Sequence, residues 1–430
     1  MKASTVIVSG PIANKPFNGG VAWIPLSYIL GLRRLGFKVY FVEQIARQTC
    51  VDTEGNICPF PDSVNVAYFR ETIENFGLTD SAALIYDDGA QVFGATYAEL
   101  NEIAEEADLL INISGHLKLE WLTSRVRRRV YIDEDPGFTQ FWHEADDMRL
   151  KLDGHQFYFT MGGRVGSPDC LIPTNGIQWR PLPPPVVLDC WPVVSQARAI
   201  ASGAYELPAS GTYPANSAVR MTANRRQDAC APGQAGMPAL SGFTTVSSWR
   251  GPYGAVQHNG KTFGLKVHEF RKFITLPQRT RQTFEIALDI HPSEEKDLNL
   301  LNRNEWQLVD PGKVASTPQA FRRYVQTSGA EFSVAQGIYV DTNSGWFSDR
   351  TVRYLASGKP ALVQDTGFSR NYPVGEGLLA FRTLDEAVQG AESIARDYEK
   401  HSRAARAIAE QYFDSDKVLG GLVDEINLAA

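Results

Sequence analysis

The sequence predicts an α/β chain of two domains, and three observations carry that prediction. The chain has 430 residues, more than one ordinary hydrophobic core organises. Short apolar runs of strand length alternate with stretches of helical period, separated by turns rich in Gly and Pro. Residues 330–368 then read in one pass as strand, polar loop, helix, strand and Gly loop. That order is the repeating unit of a doubly wound parallel sheet.

Composition narrows the function. Hydrophobic residues make up 43% and charged residues 21% of the chain, the balance of a water-soluble globular protein. A net charge of −7 and a pI near 5.6 argue against a general nucleic-acid binder, so no nucleic-acid partner is expected. No apolar run approaches membrane-spanning length, so no membrane span is expected. The N-terminus runs directly into Thr5-Val6-Ile7-Val8, without a basic flank or a small-residue cleavage site. No signal peptide is read, and the expected location is the cytoplasm. Cys50, Cys58, Cys170, Cys190 and Cys230 show neither CxxC nor zinc spacing. Free thiols are expected, and no metal site.

In chain order, residues 5–8 are a buried strand and Ser9-Gly10-Pro11 a turn. A loop ends in Gly19-Gly20, and a helix follows with Ile24, Tyr28 and Leu32 at helical spacing; residues 39–43 form the next strand. This is a βαβ opening without the full GxGxxG fingerprint. Residues 44–95 are mixed, apart from a helix over 66–76. Thr96 and Glu99 are a capping-box pair for a helix to about 107. Strands over 108–113, 129–132 and 157–160 end in polar clusters: Ser114-Gly115-His116, Asp133-Glu134-Asp135, and Met161-Gly162-Gly163. A helix is expected over 139–150. The first domain is expected over 1–178 and a Pro-rich linker over 179–185. A second domain is then expected over 186–412, with a C-terminal helix over 413–430.

Residues 194–241 are rich in Ala, Ser, Gly and Pro and have no clear period, so they read as an inserted surface loop. Beyond them come a strand over 243–248, a hairpin turn at Asn259-Gly260, and a helix over 263–273 containing Lys266. A strand over 284–290, a helix over 294–302, a strand over 306–309 and a helix from Thr317-Pro318 follow. In the 330–368 unit, Ser344 and Gly345 close the polar loop, and Ser348 and Asp349 start a helix through Ala356. Asp365, Thr366 and Gly367 leave the next strand at its carboxyl end, the edge where open parallel sheets hold ligands. The helix start at Ser348, Asp349 and Arg350 offers free N–H groups and partial positive charge, which suits a phosphate.

The segment from Ala356 to Gly367, ASGKPALVQDTG, resembles the A-x-G-x-P-hhh-x-D-x-G segment in the donor half of the two-Rossmann (GT-B) glycosyltransferases. The start of the chain is similar to the GG-x-x-x-x-L-x-x-x-L-x-x-x-G-h-x-V opening of the same enzymes. The resemblance covers roughly 243–410 and, more weakly, the N-terminus. It implies two Rossmann-like domains facing a cleft, and sugar transfer from a nucleotide-activated donor to a small-molecule or glycan acceptor. The co-substrate would be a UDP-, GDP- or dTDP-sugar, with no bound metal and no other cofactor. Gly19 and Gly20 would approach the donor across the cleft, or simply form a tight turn. Arg250 and Lys266 would hold the diphosphate, although their spacing exceeds the usual one. The paired glutamates of many retaining members are replaced by Gly345 and Arg353, so the ribose contact does not carry over.

For chemistry, His116 is the first candidate base on an acceptor hydroxyl, because an ordinary imidazole titrates near neutrality. Asp133 and Asp135 are the alternatives. The bland readings are a structural histidine and carboxylates that cap the helix before Thr139. Two other functions fit the same resemblance: a sugar-nucleotide epimerase, and a degenerate nucleotide-sugar binding protein.

Overall fold

The computed structural model describes residues 4–145, 152–194, 242–251 and 253–428. The insert expected over 194–241 falls, from 195 onward, outside the described residues, as does the end of the helix expected over 139–150.

Eight strands form the first sheet: β1 (Thr5–Ser9), β2 (Lys38–Ile45), β3 (Ala82–Tyr86), β4 (Gln91–Phe93), β5 (Leu109–Ile113), β6 (Arg128–Asp133), β7 (Phe157–Thr160) and β8 (Trp179–Pro181). Their order is β4-β3-β2-β1-β5-β6-β7-β8, and all neighbours are parallel except β3 and β4. Val6 pairs with Val39 on one side and Leu109 on the other. β1 and β5 are buried along their whole length, which is why both read as unbroken apolar runs. The chain first builds outward from β1 through β2 and β3, then returns to its other side at β5. The crevice therefore opens beyond the carboxyl ends of β1 and β5.

The second domain repeats this plan with six parallel strands, and a hairpin of β10 (Val256–His258) and β11 (Lys261–Phe263) follows the first of them. They are β9 (Phe243–Ser248), β12 (Phe284–Asp289), β13 (Gln307–Val309), β14 (Ala330–Ser333), β15 (Ala361–Gln364) and β16 (Leu378–Phe381). The order β13-β12-β9-β14-β15-β16 places the crevice between β9 and β14. The hairpin turns on Asn259 and Gly260, both at positive φ (49° and 75°), as that dipeptide favours.

Several expectations change. Trp179–Pro181, expected in the linker, is the edge strand β8, where prolines are tolerated because only one side pairs. The helix expected from 263 begins at Lys266, since Phe263 is committed to β11 opposite Val256. The C-terminal helix is Ser415–Glu425, and it returns to the first domain. Val186 N–H donates to Phe413 O at 2.8 Å, and Ser415 N–H donates to Val186 O at 2.9 Å, so the two crossing strands of chain run side by side. That helix packs against the Gly19–Arg34 helix, with Arg34 bonded to Asp416 at 3.0 Å. Between the domains, the Trp23 ring lies 5.0 Å from that of Trp191, and Trp191 meets Phe321 edge-on. One apolar cluster thus contains residues of both halves.

Candidate functional site in the interdomain cleft

The two crevices face each other across a cleft of about 420 Å³. The first domain contributes Phe17, Asn18 and Gly20 to its walls; the second contributes Lys266, Asp349 and Arg350. The glycine pair has a steric reason. Gly19 N–H donates to Ala315 O at 2.8 Å, and a Cβ at Gly19 would lie 2.0 Å from Thr317 O. A Cβ at Gly20 would press on the Phe321 ring at 3.1 Å. Only glycine permits this approach to the other domain. The preceding loop is held by Glu43 of β2, a buried carboxylate that the sequence reading treated as strand alone. It accepts from the backbone N–H groups of Ile12, Ala13 and Asn14 at 3.0, 2.8 and 2.8 Å.

On the second-domain wall, Ser348 caps the Asp349–Ala356 helix by accepting from Arg350 N–H at 3.2 Å. The Arg350 guanidinium donates to Glu331 Oε1 at 2.7 Å, Ser333 Oγ at 2.7 Å and Val246 O at 3.0 Å. It stitches β9 to β14 while remaining on the cleft wall. Lys266 donates to Ser247 Oγ at 3.2 Å. Burial pushes its ammonium down to about 7, helped by Arg350 and opposed by Glu331 and Asp135. Among the described residues it makes that one hydrogen bond, which leaves two of its three N–H groups for a ligand.

Arg250 stands elsewhere. Its side chain is half exposed and pairs with Glu294, with Nη2 to Oε2 at 2.9 Å. The β10–β11 hairpin separates it from Lys266, so the cation partnered with Lys266 in the cleft is Arg350. Arg353, at the position of the family's ribose glutamate, is 1% exposed, bonds Asp349 and lies 6.0 Å from the Trp191 ring. Its side chain packs between the domains.

The loop residues expected around the donor are consumed by structure. Ser344 Oγ donates to Tyr339 O at 3.0 Å, Gly345 N–H to Thr366 O at 2.8 Å, and Thr366 Oγ1 to Trp346 O at 2.6 Å. Asp365 accepts from Gly367 N–H, Ser369 Oγ and Arg382 Nη2 at 2.8, 2.7 and 2.8 Å. Gly367 sits at φ 100°, where a side chain would strain the backbone. This loop forms a second seam with the first domain, through Arg164 N–H to Ser344 O at 3.0 Å and Arg370 to Asp169 at 2.7 Å. None of Ser344, Gly345, Asp365, Thr366 and Gly367 lines the cleft.

The first domain brings three consecutive acids to the end of β6, and they differ. Asp133 is fully buried and accepts from Thr139 Oγ1 at 2.6 Å, Gln140 Nε2 at 2.8 Å and Thr160 Oγ1 at 2.7 Å. Its oxygens are taken up in fixing the next helix and β7. Asp135 accepts from the hydroxyls of Tyr339 at 2.7 Å and Tyr253 at 3.5 Å, both from the second domain. Burial pushes its carboxyl up to about 6, the Tyr339 bond holding it down in part. Glu134, missed at the sequence level, has its carboxyl raised well above the usual range, first by burial and then by Asp349 and Asp135. His116 is half-buried on the loop after β5. Burial, with Lys118 and Lys15, pushes its imidazole down to about 4, which leaves a weak base.

Among the described residues, no cluster of three or more His, Cys, Asp or Glu side chains is arranged for a metal, and no helix is long and apolar enough to cross a membrane. Cys50, Cys58, Cys170 and Cys190 are free thiols.

Two parallel-sheet domains about a cleft, with the C-terminal helix returned to the first, define the GT-B fold. No family model matches the chain, and no curated protein matches its sequence. Solved structures match its fold end to end. Sucrose-phosphate synthase from Thermosynechococcus elongatus is 10% identical at a TM-score of 0.52, with 99% of each chain covered. HepE of Anabaena, in complex with UDP-glucose, is 12% identical at 0.55, covering 98% of this chain and 99% of that one. An alpha-glucosyltransferase, in complex with UDP and a 13-mer DNA containing an HMU base, is 9% identical at 0.55, covering 99% and 100%.

Proposed function

We propose that this chain is a glycosyltransferase that moves a sugar from a nucleotide-activated donor to an acceptor hydroxyl in the interdomain cleft. The observation that carries the reading is the cleft wall of Lys266 and Arg350 facing the Gly20 loop of the first domain. Asp135 comes from the first domain, and its charge acts on the Lys266 ammonium. In the reaction, the acceptor oxygen bonds to the anomeric carbon and the bond from that carbon to the diphosphate oxygen breaks. The bonding pair leaves with the nucleoside diphosphate, and the acceptor proton passes to the Asp135 carboxylate. Lys266, Arg350 and the N–H groups at the capped helix start stabilise the charge that grows on the leaving group. A carboxyl near 6 is mostly ionised at neutral pH and still basic enough to take a proton. Asp135 therefore takes the role first given to His116, and a single displacement of this kind inverts the anomeric carbon.

UDP is the favoured nucleotide, because HepE and the alpha-glucosyltransferase were solved with UDP-glucose and UDP. A small molecule or glycan is the favoured acceptor. A nucleic-acid acceptor is the second reading, raised by the DNA held by the alpha-glucosyltransferase and opposed by the net charge of −7. The epimerase and binding-protein readings are weaker, since the named neighbours are a synthase and a glucosyltransferase. The test is incubation with a panel of nucleotide sugars. Release of free nucleoside diphosphate supports transfer, whereas interconversion of sugar nucleotides without release points to an epimerase.

A further inference from the structure

The second-domain wall of the cleft changes its chemistry in order along the carboxyl edge of the sheet. At one end stand Lys266 and Arg350, with Lys266 Nζ donating to Ser247 Oγ at 3.2 Å. Ser247 and Ser248 close β9, and Ser248 is in register with Asp289, the last residue of β12. Trp249 N–H donates to Asp289 O at 2.8 Å, which fixes the two strand ends side by side. On the far side of β12, Ala287 pairs with Val309 of β13, and the turn of helix at Pro311–Val314 packs back on β12. Pro311, Gly312 and Ala315 line the cleft there, with Phe17 of the first domain among its walls. The Phe17 ring lies 5.7 Å from that of Tyr68, whose hydroxyl donates to Ser316 O at 3.1 Å, so the aromatic wall is held at this end. Neighbouring strands lie about 4.8 Å apart, so the two steps from β9 to β13 span roughly 10 Å. Cations, a carboxylate and an apolar slot thus follow one another, as diphosphate, ribose and base do in a nucleotide.

We propose that Asp289 holds the ribose of the donor nucleotide and selects a ribonucleotide over a 2′-deoxyribonucleotide. The proposal rests on the donor reading above and specifies its substrate class: UDP- or GDP-sugars are accepted and dTDP-sugars rejected. Asp289 is exposed on the cleft wall, and among the described residues its carboxylate has no hydrogen-bond or ion-pair partner. The other acid on that wall, Asp349, is already bonded to Arg353. An ionised carboxylate only accepts hydrogen bonds; a ribose diol offers it two donors side by side, and a deoxyribose one. In dinucleotide-binding sheets an acid about twenty residues past the phosphate-binding turn takes the ribose 2′-hydroxyl. Asp289 follows Lys266 by a similar interval, at the end of the next strand. It supplies the carboxylate that the helix after Ser348 lacks, since Arg353 occupies that place.

The experiment is calorimetric titration of the full chain with UDP and 2′-deoxy-UDP, on the parent, Asp289→Ala and Asp289→Asn. GDP and 2′-deoxy-GDP serve as the second pair. The parent should bind the ribonucleotide it prefers at least about tenfold more tightly than the deoxy form. In Asp289→Ala the two forms should bind within about threefold of each other, and Asp289→Asn, which keeps one acceptor oxygen, should fall between. Loss of the charge acts on both ligands alike, so the ratio of the two affinities reports the hydroxyl contact. Equal binding of the two forms by the parent, or a ratio unchanged in Asp289→Ala, overturns the ribose contact and leaves the diphosphate site standing. If neither UDP nor GDP binds the parent, the donor reading fails and the ribose contact with it.

Discussion

The Tyr339 hydroxyl donates to Asp135 Oδ1 at 2.7 Å, and this bond crosses from the second domain to the first. It ties the proposed base to the donor-side wall. It also favours the ionised carboxylate, against the burial that pushes Asp135 up to about 6. Removing the hydroxyl should therefore raise the Asp135 pKa further. The base works only when deprotonated, so turnover rises with pH through that pKa. In Tyr339→Phe the acid limb of the kcat/KM profile should move to higher pH, with activity near the parent's on the alkaline side. A limb that stays in place would assign it to another group.

Asp135→Asn should lower turnover by about 10²–10⁴-fold, the usual share of general-base catalysis, while nucleoside diphosphate binding changes little. His116→Ala should cost less than about tenfold, because an imidazole near 4 is a poor proton acceptor at neutral pH. Parallel kinetics on the two variants decide between them. The reverse ranking would return the role to the histidine.

Burial pushes the Lys266 ammonium down to about 7, so it is cationic below that pH and neutral above it. An anionic ligand binds the cation better, so nucleoside diphosphate affinity should fall as pH rises from 7 to 9, by up to about tenfold per unit. Lys266→Ala should weaken binding by at least about tenfold at pH 7 and remove this pH dependence above 7. Calorimetry at the two pH values, on parent and variant, makes the comparison. A parental affinity that is flat in pH would place the diphosphate elsewhere.

Gly19→Ala tests the closeness of the domains. Its Cβ would meet the Thr317 backbone carbonyl, which cannot swing aside as a side chain does. The variant should lose about 1–3 kcal/mol in urea unfolding, the usual cost of overpacking. Parental stability would mean that the loop and the second domain stand farther apart in solution.

The strongly apolar parts of this architecture were legible in the sequence. The runs that became β1, β5, β9 and β12 are buried strands with clear turns after them, and the Ser348 start of the Asp349–Ala356 helix follows from capping chemistry. β8 was hidden because its proline argues against a strand, and only the edge position makes it acceptable. β3 and β4 were lost in a mixed stretch: β3 pairs with β2 far back in the sequence, and β4 is only a short edge strand beside β3. At the site, Lys266 and Arg350 were both candidates and both line the cleft, although the sequence paired Lys266 with Arg250. The hairpin between Arg250 and Lys266 stretches the motif, and Arg350 reaches the same wall from another strand–helix unit. Nor could the sequence rank Asp133, Glu134 and Asp135. Their separate fates are set by Thr139, Gln140, Thr160 and Tyr339, brought together only by the fold.

The central claim is that the cleft lined by Lys266 and Arg350 transfers a sugar from a nucleotide. The most direct measurement is the release of free nucleoside diphosphate from UDP-, GDP- and dTDP-sugars, by the parent and by Asp135→Asn, with ligand binding followed in the same samples. The account predicts slow release from one of these donors by the parent, and loss of that release in Asp135→Asn with binding of the same donor retained. Release that survives in the variant, or a parent that binds none of the donors, would contradict it.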